Sequence, residues 1–404
     1  MRRLLATLTL AFLAMVGAVH GGQVTLSPTV KLSGWFAADG DPESALGLYR
    51  LRLQANATLT EMLNAEFAYE HNGRWSDVDR EQFDNAALLP ANPNAPFRLS
   101  QLHDEFYGTH RFGAWHELDR ALVAFHPDWG DVTVGRQAVG LGRGQLFNAV
   151  DFFAPFSPLA VDREWRAGVD AARCEVRTST TSSVEALAIG GKTWDDSGLI
   201  LRARGYLGQL DAEILGGKRG QDAVVAAAMS ATVGDSEVHA ESAFFQLPDP
   251  HPHGAWGGDE RIVPKALLGA SHTFAWRNSI TLLAEYQYSG FGAAPVENAA
   301  ELLASPDFQN RLARGDTQTL GRHAVGLRAS YPLNHSTSGA LTALVSPTDG
   351  SGLLAPNLRY DLSRAASLLA VGYLSWGENA RQGAPRSEYG DVPNSLFVQC
   401  ALYY

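Results

Sequence analysis

The chain has 404 residues, of which 45% are hydrophobic, 10% aromatic and only 19% charged, and its formal net charge is −11. This aromatic content and low charge exclude a disordered chain, and the acidic balance without a long basic stretch argues against nucleic acid as a partner. Beyond the first two dozen residues there is no apolar run of about 18 residues, the length a membrane-spanning helix needs. The 2 cysteines provide no disulfide framework.

The first residues have the pattern of a secretory signal peptide. Arg2 and Arg3 are followed by an apolar region at residues 4–16 and by small residues at 17–22. The apolar region is too short for a membrane anchor, so we expect cleavage near Gly21. Residues 1–21 would then be a cleaved signal peptide, and residues 22–404 the mature protein outside the cytoplasm.

Most of the remaining chain alternates between apolar and polar residues. In residues 48–60, for example, Leu51, Leu53 and Leu59 lie on one face, opposite Arg50 and Arg52. A period of two indicates β-strands rather than helices. The pattern predicts 18 strands, with 16 as the alternative count, near residues 28–39, 45–60, 64–72, 116–126, 131–139, 167–178, 182–192, 198–206, 210–218, 222–233, 236–246, 263–274, 279–290, 321–331, 337–346, 351–361, 366–376 and 394–404.

The connections between these strands alternate in length. Every second connection is a short turn, whereas the others include all the long ones, at residues 73–115, 140–166, 247–262, 291–320 and 377–393. Short turns on one rim and long loops on the other are typical of outer-membrane barrels, and strands of about 9 to 11 residues suffice to cross a bilayer at a tilt. We therefore predict an all-β fold, a transmembrane antiparallel β-barrel with short periplasmic turns and long extracellular loops.

The last predicted strand, residues 394–404, supports this prediction. It reads NSLFVQCALYY and places Leu396, Val398, Leu402 and Tyr404 on one face. It resembles the C-terminal strand of Gram-negative outer-membrane proteins, although Tyr replaces their commoner final Phe. The resemblance implies location in the cell outer membrane and recognition of this strand by the barrel-assembly machinery.

A second resemblance covers residues 135–170. The matching positions are Gly135-Arg136-Gln137, Phe147-Asn148, Asp151, Phe153, Pro155, Asp162-Arg163-Glu164 and Gly168-Val169-Asp170. This segment is similar to one in porin-like outer-membrane proteins of Gram-negative bacteria and, more distantly, to alginate-export barrels. Ala149 departs from the pattern, because a proline is common there. The resemblance implies a pore for small solutes.

Loop 140–166 is the predicted constriction of that pore. It is long and contains four Phe residues, which must pack on the inner wall or on a partner, so we expect it to fold into the lumen. Charged rings at a narrow point determine ion preference. The candidate pore-lining residues of the loop and wall are Arg50, Arg52, Arg136, Arg143, Asp151, Asp162, Arg163, Glu164, Arg166, Arg202, Arg204 and Arg328. Alternatively, these residues are ion pairs that brace the wall.

Enzyme, metal and cofactor motifs are not found. There is no nucleophile elbow, zinc-protease helix or phosphate-binding loop, and His251 and His253 alone make a poor metal site. Residues 296–314 have a helical pattern that Pro306 should interrupt. Of three functions we predict the first, a porin for small polar or ionic solutes. The alternatives are a conduit that sheathes a periplasmic partner for polysaccharide secretion or electron transfer, and a barrel enzyme. The expected partners are outer-membrane lipids, small solutes and either copies of the chain or a periplasmic protein.

Overall fold

A computed structural model describes residues 23–38, 44–77, 96–251 and 260–404, so the predicted signal peptide lies outside the described residues. The strands are β1 Gln23–Ala37, β2 Ser44–Thr60, β3 Leu63–Ser76, β4 His103–Gly108, β5 Phe112–Phe125, β6 Gly130–Gln137, β7 Val169–Arg177, β8 Ser182–Gly190, β9 Gly198–Leu207, β10 Leu210–Arg219, β11 Asp222–Val233, β12 Ser236–His251, β13 Glu260–Phe274, β14 Ile280–Ser289, β15 His323–Pro332, β16 Thr337–Val345, β17 Gly352–Ser363, β18 Ala366–Trp376 and β19 Ser395–Tyr403.

Eighteen of these strands form a closed antiparallel barrel. Each pairs with its neighbours in the order β1–β3 and β5–β19, and β1 pairs with β19 from Thr29 opposite Tyr403 to Ala37 opposite Ser395. Closure leaves no strand edge in the wall, as a barrel in lipid requires. The predicted fold class and the count of 18 are confirmed, and the alternative count of 16 is wrong.

All the connections on one rim, which we call the periplasmic rim, are short. They contain two to five residues, at 61–62, 126–129, 178–181, 208–209, 234–235, 275–279, 333–336 and 364–365. Gly208 (φ 67°) and Gly234 (φ 62°) each begin a two-residue hairpin. Such tight turns need a positive φ, which glycine adopts at little cost. The predicted alternation of connection lengths is therefore present in the structure.

The wall has an apolar outside and a charged inside. Leu201, Ile214 and Leu268 point outward and are each about 60% exposed (61%, 59% and 62%), whereas Arg202 and Glu241 point inward and are buried. An outer face of this kind is stable against lipid rather than water. Among the described residues, no helix is long and apolar enough to span a membrane.

The loop at residues 290–322 contains the predicted helical segment. A 3₁₀ turn at Val296–Asn298 precedes two short helices, α1 (Ala299–Ala304) and α2 (Pro306–Arg314). Pro306 is the first residue of α2, a position where its missing N–H costs no intrahelical bond. The predicted interruption at Pro306 is confirmed.

Strand β4 was not predicted, because it lies within the connection expected at residues 73–115. The ladder between β5 and β6 ends at Ala121 opposite Arg136, so residues 112–120 of β5 do not pair with β6. There β4 pairs with β5, from His103 opposite Glu117 to Gly108 opposite Gly113. Six residues are too few for a clear alternation, and this pairing is determined by tertiary structure.

Candidate functional site

The connection between β6 and β7, called here loop 138–168, bonds to side chains from distant strands. Glu241 on β12 accepts hydrogen bonds from four loop amides: those of Gly144 (2.7 Å), Ala149 (2.7 Å), Val150 (3.1 Å) and Arg143. The carboxylate is only 3% exposed. Backbone N–H groups, rather than a cation in direct contact, therefore satisfy this buried acid.

Glu285 on β14 holds the adjacent part of the same loop. It accepts hydrogen bonds from the amides of Gln145 (2.6 Å), Leu146 (2.8 Å) and Phe147 (2.9 Å), and it lies 3.0 Å from His239 Nε2. Two inward-facing carboxylates thus fix residues 143–150 against one side of the barrel. Charge-assisted hydrogen bonds of this kind are stronger than neutral ones.

The phenylalanines of loop 138–168 pack on the wall. Phe147, Phe152 and Phe153 are almost fully buried. The Phe152 ring meets Phe245 of β12 at 5.6 Å, and the Phe153 ring meets Phe97 at 5.1 Å, both edge to face. Of the two alternatives, the inner wall or a partner, the wall is the observed partner of these rings. Their burial gives the loop an apolar attachment beside its polar one.

The tip of loop 138–168 contacts the strands that close the barrel. Lys31 on β1 pairs with Asp162 (2.8 Å) and Glu164 (2.6 Å), and Tyr403 on β19 donates its hydroxyl to Glu164 at 2.9 Å. Burial raises the pKa of Asp162, but the Lys31 ammonium outweighs it and the pKa lies below its ordinary value. A cavity of about 500 Å³ lies here, lined also by Arg163 and Arg359.

Arg163 differs from its neighbours because it binds no carboxylate. Its guanidinium donates to the carbonyls of Gln145 (2.6 Å), Ser157 (3.0 Å) and Pro158 (3.0 Å). Burial and, second, the positive charge of Arg328 on β15 lower its pKa. Arg328 is exposed, and among the described residues it also forms no ion pair. This part of the site carries uncompensated positive charge.

The other candidate residues of loop 138–168 are paired. Arg166 binds Asp151, and Arg143 binds Asp211 on β10 at 2.8 Å. Burial raises the pKa of Asp151 to about 6, although the Arg166 charge opposes the shift. These two pairs attach the loop to itself and to the wall.

The candidate arginines on the strands are also paired. Arg52 contacts Glu70 (2.5 Å) and Asp119 (2.7 Å), Arg202 lies between Glu185 and Glu213, Arg204 contacts Glu175 (2.5 Å), and Arg50 is 3.6 Å from Glu70. Arg136 is 2% exposed and binds Asp170 at 2.7 Å and the Leu118 carbonyl at 2.8 Å, so it joins three strands. A pore-lining role for each of these residues stays a prediction.

Sequence reasoning missed the partners of the loop. Glu241 and Glu285 could be assigned to the inner face by alternation, but nothing in the sequence indicates that they hold loop 138–168. Arg219, at the end of β10, donates to the Phe152 carbonyl at 2.8 Å and was likewise not singled out. His251 of the weak metal motif contacts the Phe291 carbonyl, and His253 lies outside the described residues. The described residues contain no cluster of three or more potential metal ligands.

Solved structures with the same fold come from Gram-negative outer membranes. The chain is similar to OccAB1 of Acinetobacter baumannii (10% identity, TM-score 0.61, covering 94% of this chain and 96% of that one). It is also similar to OccAB3 of the same species (8%, 0.58, 95% and 99%) and to a BenF-like porin from Pseudomonas fluorescens Pf-5 (9%, 0.55, 95% and 99%). Identities this low show the fold alone. No protein-family model and no curated protein matches the chain.

Proposed function

We propose that the protein is a porin of the Gram-negative outer membrane, a water-filled channel for small polar or ionic solutes. The observation that carries this proposal is the polarity of the wall, apolar outside at Leu201 and Ile214 and charged inside at Arg202 and Glu213. Barrels of about 16 strands or more leave an aqueous lumen. The similarity to a BenF-like porin supports the same function.

In this proposal, loop 138–168 is the constriction of the channel. The loop contacts β12 and β14, on either side of β13, through Glu241 and Glu285, and it contacts β1, six strands beyond β14, through Lys31. A segment fixed at several points of the circumference narrows the lumen to a defined path. Asp162, Arg163 and Glu164 then lie at the edge of that path.

The channel should prefer anions. Most inward-facing arginines are neutralised by a carboxylate, whereas Arg163 and Arg328 have none among the described residues. Unpaired positive charge at a narrow point attracts anions and repels cations. The carboxylates Glu241 and Glu285, by contrast, are covered by loop amides and face the channel less directly.

Single-channel recording in planar bilayers tests the proposal. Refolded protein covering residues 22–404 should give discrete, steady conductance steps, and a salt gradient should give a reversal potential on the anion side. Arg328→Gln should shift that potential toward cations. Arg277→Gln removes the same charge from a periplasmic turn outside the barrel interior, and should leave it unchanged.

A barrel that inserts correctly but carries no current would contradict the porin proposal. That result would favour the conduit, whose lumen is filled by a partner, or the barrel enzyme. The described residues offer no observation that favours either of these two. Recognition of β19 by the assembly machinery and assembly into oligomers stay predictions.

A further inference from the structure

Strand β6 ends before its neighbour β5 does, so part of the barrel wall needs another partner. Residues 112–120 of β5 do not pair with β6, and an unpaired strand edge is unstable against lipid. Strand β4 pairs with the extracellular part of this edge, as far as Glu117. The next amide, that of Leu118, donates to the carbonyl of Leu102 at 3.1 Å. The segment at residues 97–102, called here the strap, therefore continues the wall where β6 is absent.

The other end of the strap is attached to β7. The amide of Asp170 donates to the carbonyl of Phe97 at 3.1 Å, and the Asp170 carboxylate accepts the amide of Leu99 at 2.8 Å. Between these two contacts, Arg98 is almost fully buried and donates its Nε to the carbonyl of Gly168 at 2.7 Å. The strap thus runs from β7 to β5 across the position that a longer β6 would occupy.

Arg136 lies beneath the strap, on the outer face of the wall. Side chains alternate between the two faces of a strand, so Arg136 shares a face with the exposed Val134. In the ladder Arg136 lies opposite Asp170, which lies opposite Gly190 of β8. The exposed side chain of Leu99 packs on this row, because a Cβ at Gly190 would lie 2.7 Å from its Cγ. The strap therefore covers a polar row on the outside of the barrel.

The guanidinium of Arg136 holds the strap through the strap's backbone. It donates to the carbonyls of Ser100 and Gln101, the second at 3.3 Å. It also pairs with the Asp170 carboxylate, with Nε 2.7 Å from Oδ1 and Nη2 3.0 Å from Oδ2. Its Nη1 donates further to the carbonyl of Leu118 at 2.8 Å. One buried side chain therefore joins β5, β7 and the strap.

Apolar contacts hold the strap on both sides of the wall. On the outer face, Leu102 packs against the buried cluster that contains Phe67 of β3. On the inner face, the Phe97 ring meets Phe153 of loop 138–168 edge to face, at 5.1 Å. The strap therefore passes through the wall and reaches the segment proposed as the constriction.

We propose that the strap is a seal, which closes a lateral window in the barrel wall between the lumen and the membrane, and that Arg136 holds it in place. Without the strap, the amides of Leu118 and Asp170 would lose their acceptors beside the lipid, which is costly. Arg136 is then a positioning residue of the wall and lines no part of the pore. The two ends of the segment at residues 135–170 form the sides of the window.

Hydrogen exchange of the full barrel, refolded in detergent micelles, tests the seal. Arg136→Gln removes the ion pair and most of the donors to the strap. The amides of Leu99 and Leu118, and that of Gly168 behind the strap, should then exchange faster than in the wild type by about tenfold or more. The β12–β13 ladder should be unchanged. Arg177→Gln is the matched control, because it removes the same charge from an exposed ion pair at the periplasmic end of β7, and it should exchange like the wild type.

Wild-type exchange of these three amides in Arg136→Gln would overturn the seal, and so would equal acceleration in Arg177→Gln. If Arg136→Gln does not fold, Leu102→Ala decides instead, because it shortens an apolar contact of the strap and removes no charge. The Leu118 amide should then exchange faster by about threefold or more, and an unchanged rate would overturn the proposal. The result is independent of the porin proposal, since amide exchange requires no conduction.

Discussion

Glu241 shows how a single residue can fix a loop inside a barrel. One carboxylate oxygen accepts the Arg143 and Gly144 amides, and the other accepts the Ala149 and Val150 amides. A carboxylate can accept hydrogen bonds at both of its oxygens, whereas the amide of Gln, which has the same shape, has one acceptor oxygen and one donor NH₂ group. The loop needs no basic residue of its own at these positions, because its backbone provides the donors.

Glu241→Gln should therefore loosen loop 138–168. The amide NH₂ replaces one acceptor and leaves two buried N–H groups without partners, each at a cost of about 1–3 kcal/mol. We expect hydrogen exchange of amides 143–150 to accelerate by about thirty-fold or more, which corresponds to about 2 kcal/mol.

The control is Glu237→Gln, which makes the same change on the inner face of the same strand, four residues away. Glu237 has no hydrogen bond or ion pair among the described residues. Its substitution should leave the exchange of amides 143–150 unchanged. Equal acceleration in both variants would mean that a general loss of charge, and not the loss of the loop contact, is responsible.

At the scale of a secondary-structure element, helix α2 is held against the barrel by buried ion pairs. Arg311 binds Asp222 through both of its terminal nitrogens, at 2.8 and 3.2 Å, and both side chains are almost fully buried. Arg311 also pairs with Asp307 at 2.8 Å, but that carboxylate is 63% exposed. The guanidinium also lies 3.3 Å from the buried Asp316, so it has two buried partners and one surface partner.

Asp222→Asn should detach α2, whereas Asp307→Asn should not. Removing one partner of a buried pair costs about 3–5 kcal/mol, and an exposed pair contributes about 0–1 kcal/mol. Limited trypsin digestion of the folded barrel should cut after Arg311 and Arg314 much faster in Asp222→Asn than in the wild type. Similar cleavage rates in the two variants would refute this role of the buried pair.

Strands and loops differ in how far their sequences predict them. The barrel strands were predicted from an alternation within each segment. The alternation is clear in residues 280–289, where Leu282 and Tyr286 face outward and Glu285 and Gln287 inward, but it does not define the two faces of residues 116–126. The partners of loop 138–168 are more than 90 residues away at Glu241 and Glu285. No local pattern encodes such contacts, so the site could be predicted only as a set of candidates.

At the scale of the whole molecule, the barrel reverses the arrangement of a water-soluble protein, because its apolar side chains face outward and its charged side chains face inward. Its large outward side chains, such as Leu268 and Leu358, are exposed, and many of its charged groups lie inside the barrel in ion pairs, as Arg202 does with Glu213. Loop 138–168 occupies part of this polar interior, and loop 290–322 touches it from the extracellular side. Conduction would therefore depend on the space that these two loops leave.

The conductance of a variant that lacks residues 143–160 tests most directly whether loop 138–168 limits the channel. The deletion removes the segment held by Glu241 and Glu285 but none of the barrel strands. As a control, deletion of residues 379–383 shortens an exposed extracellular connection. We predict larger single-channel steps for the first deletion and wild-type steps for the second. Unchanged conductance after removal of residues 143–160, in a barrel that inserts normally, would contradict the assignment of this loop as the constriction.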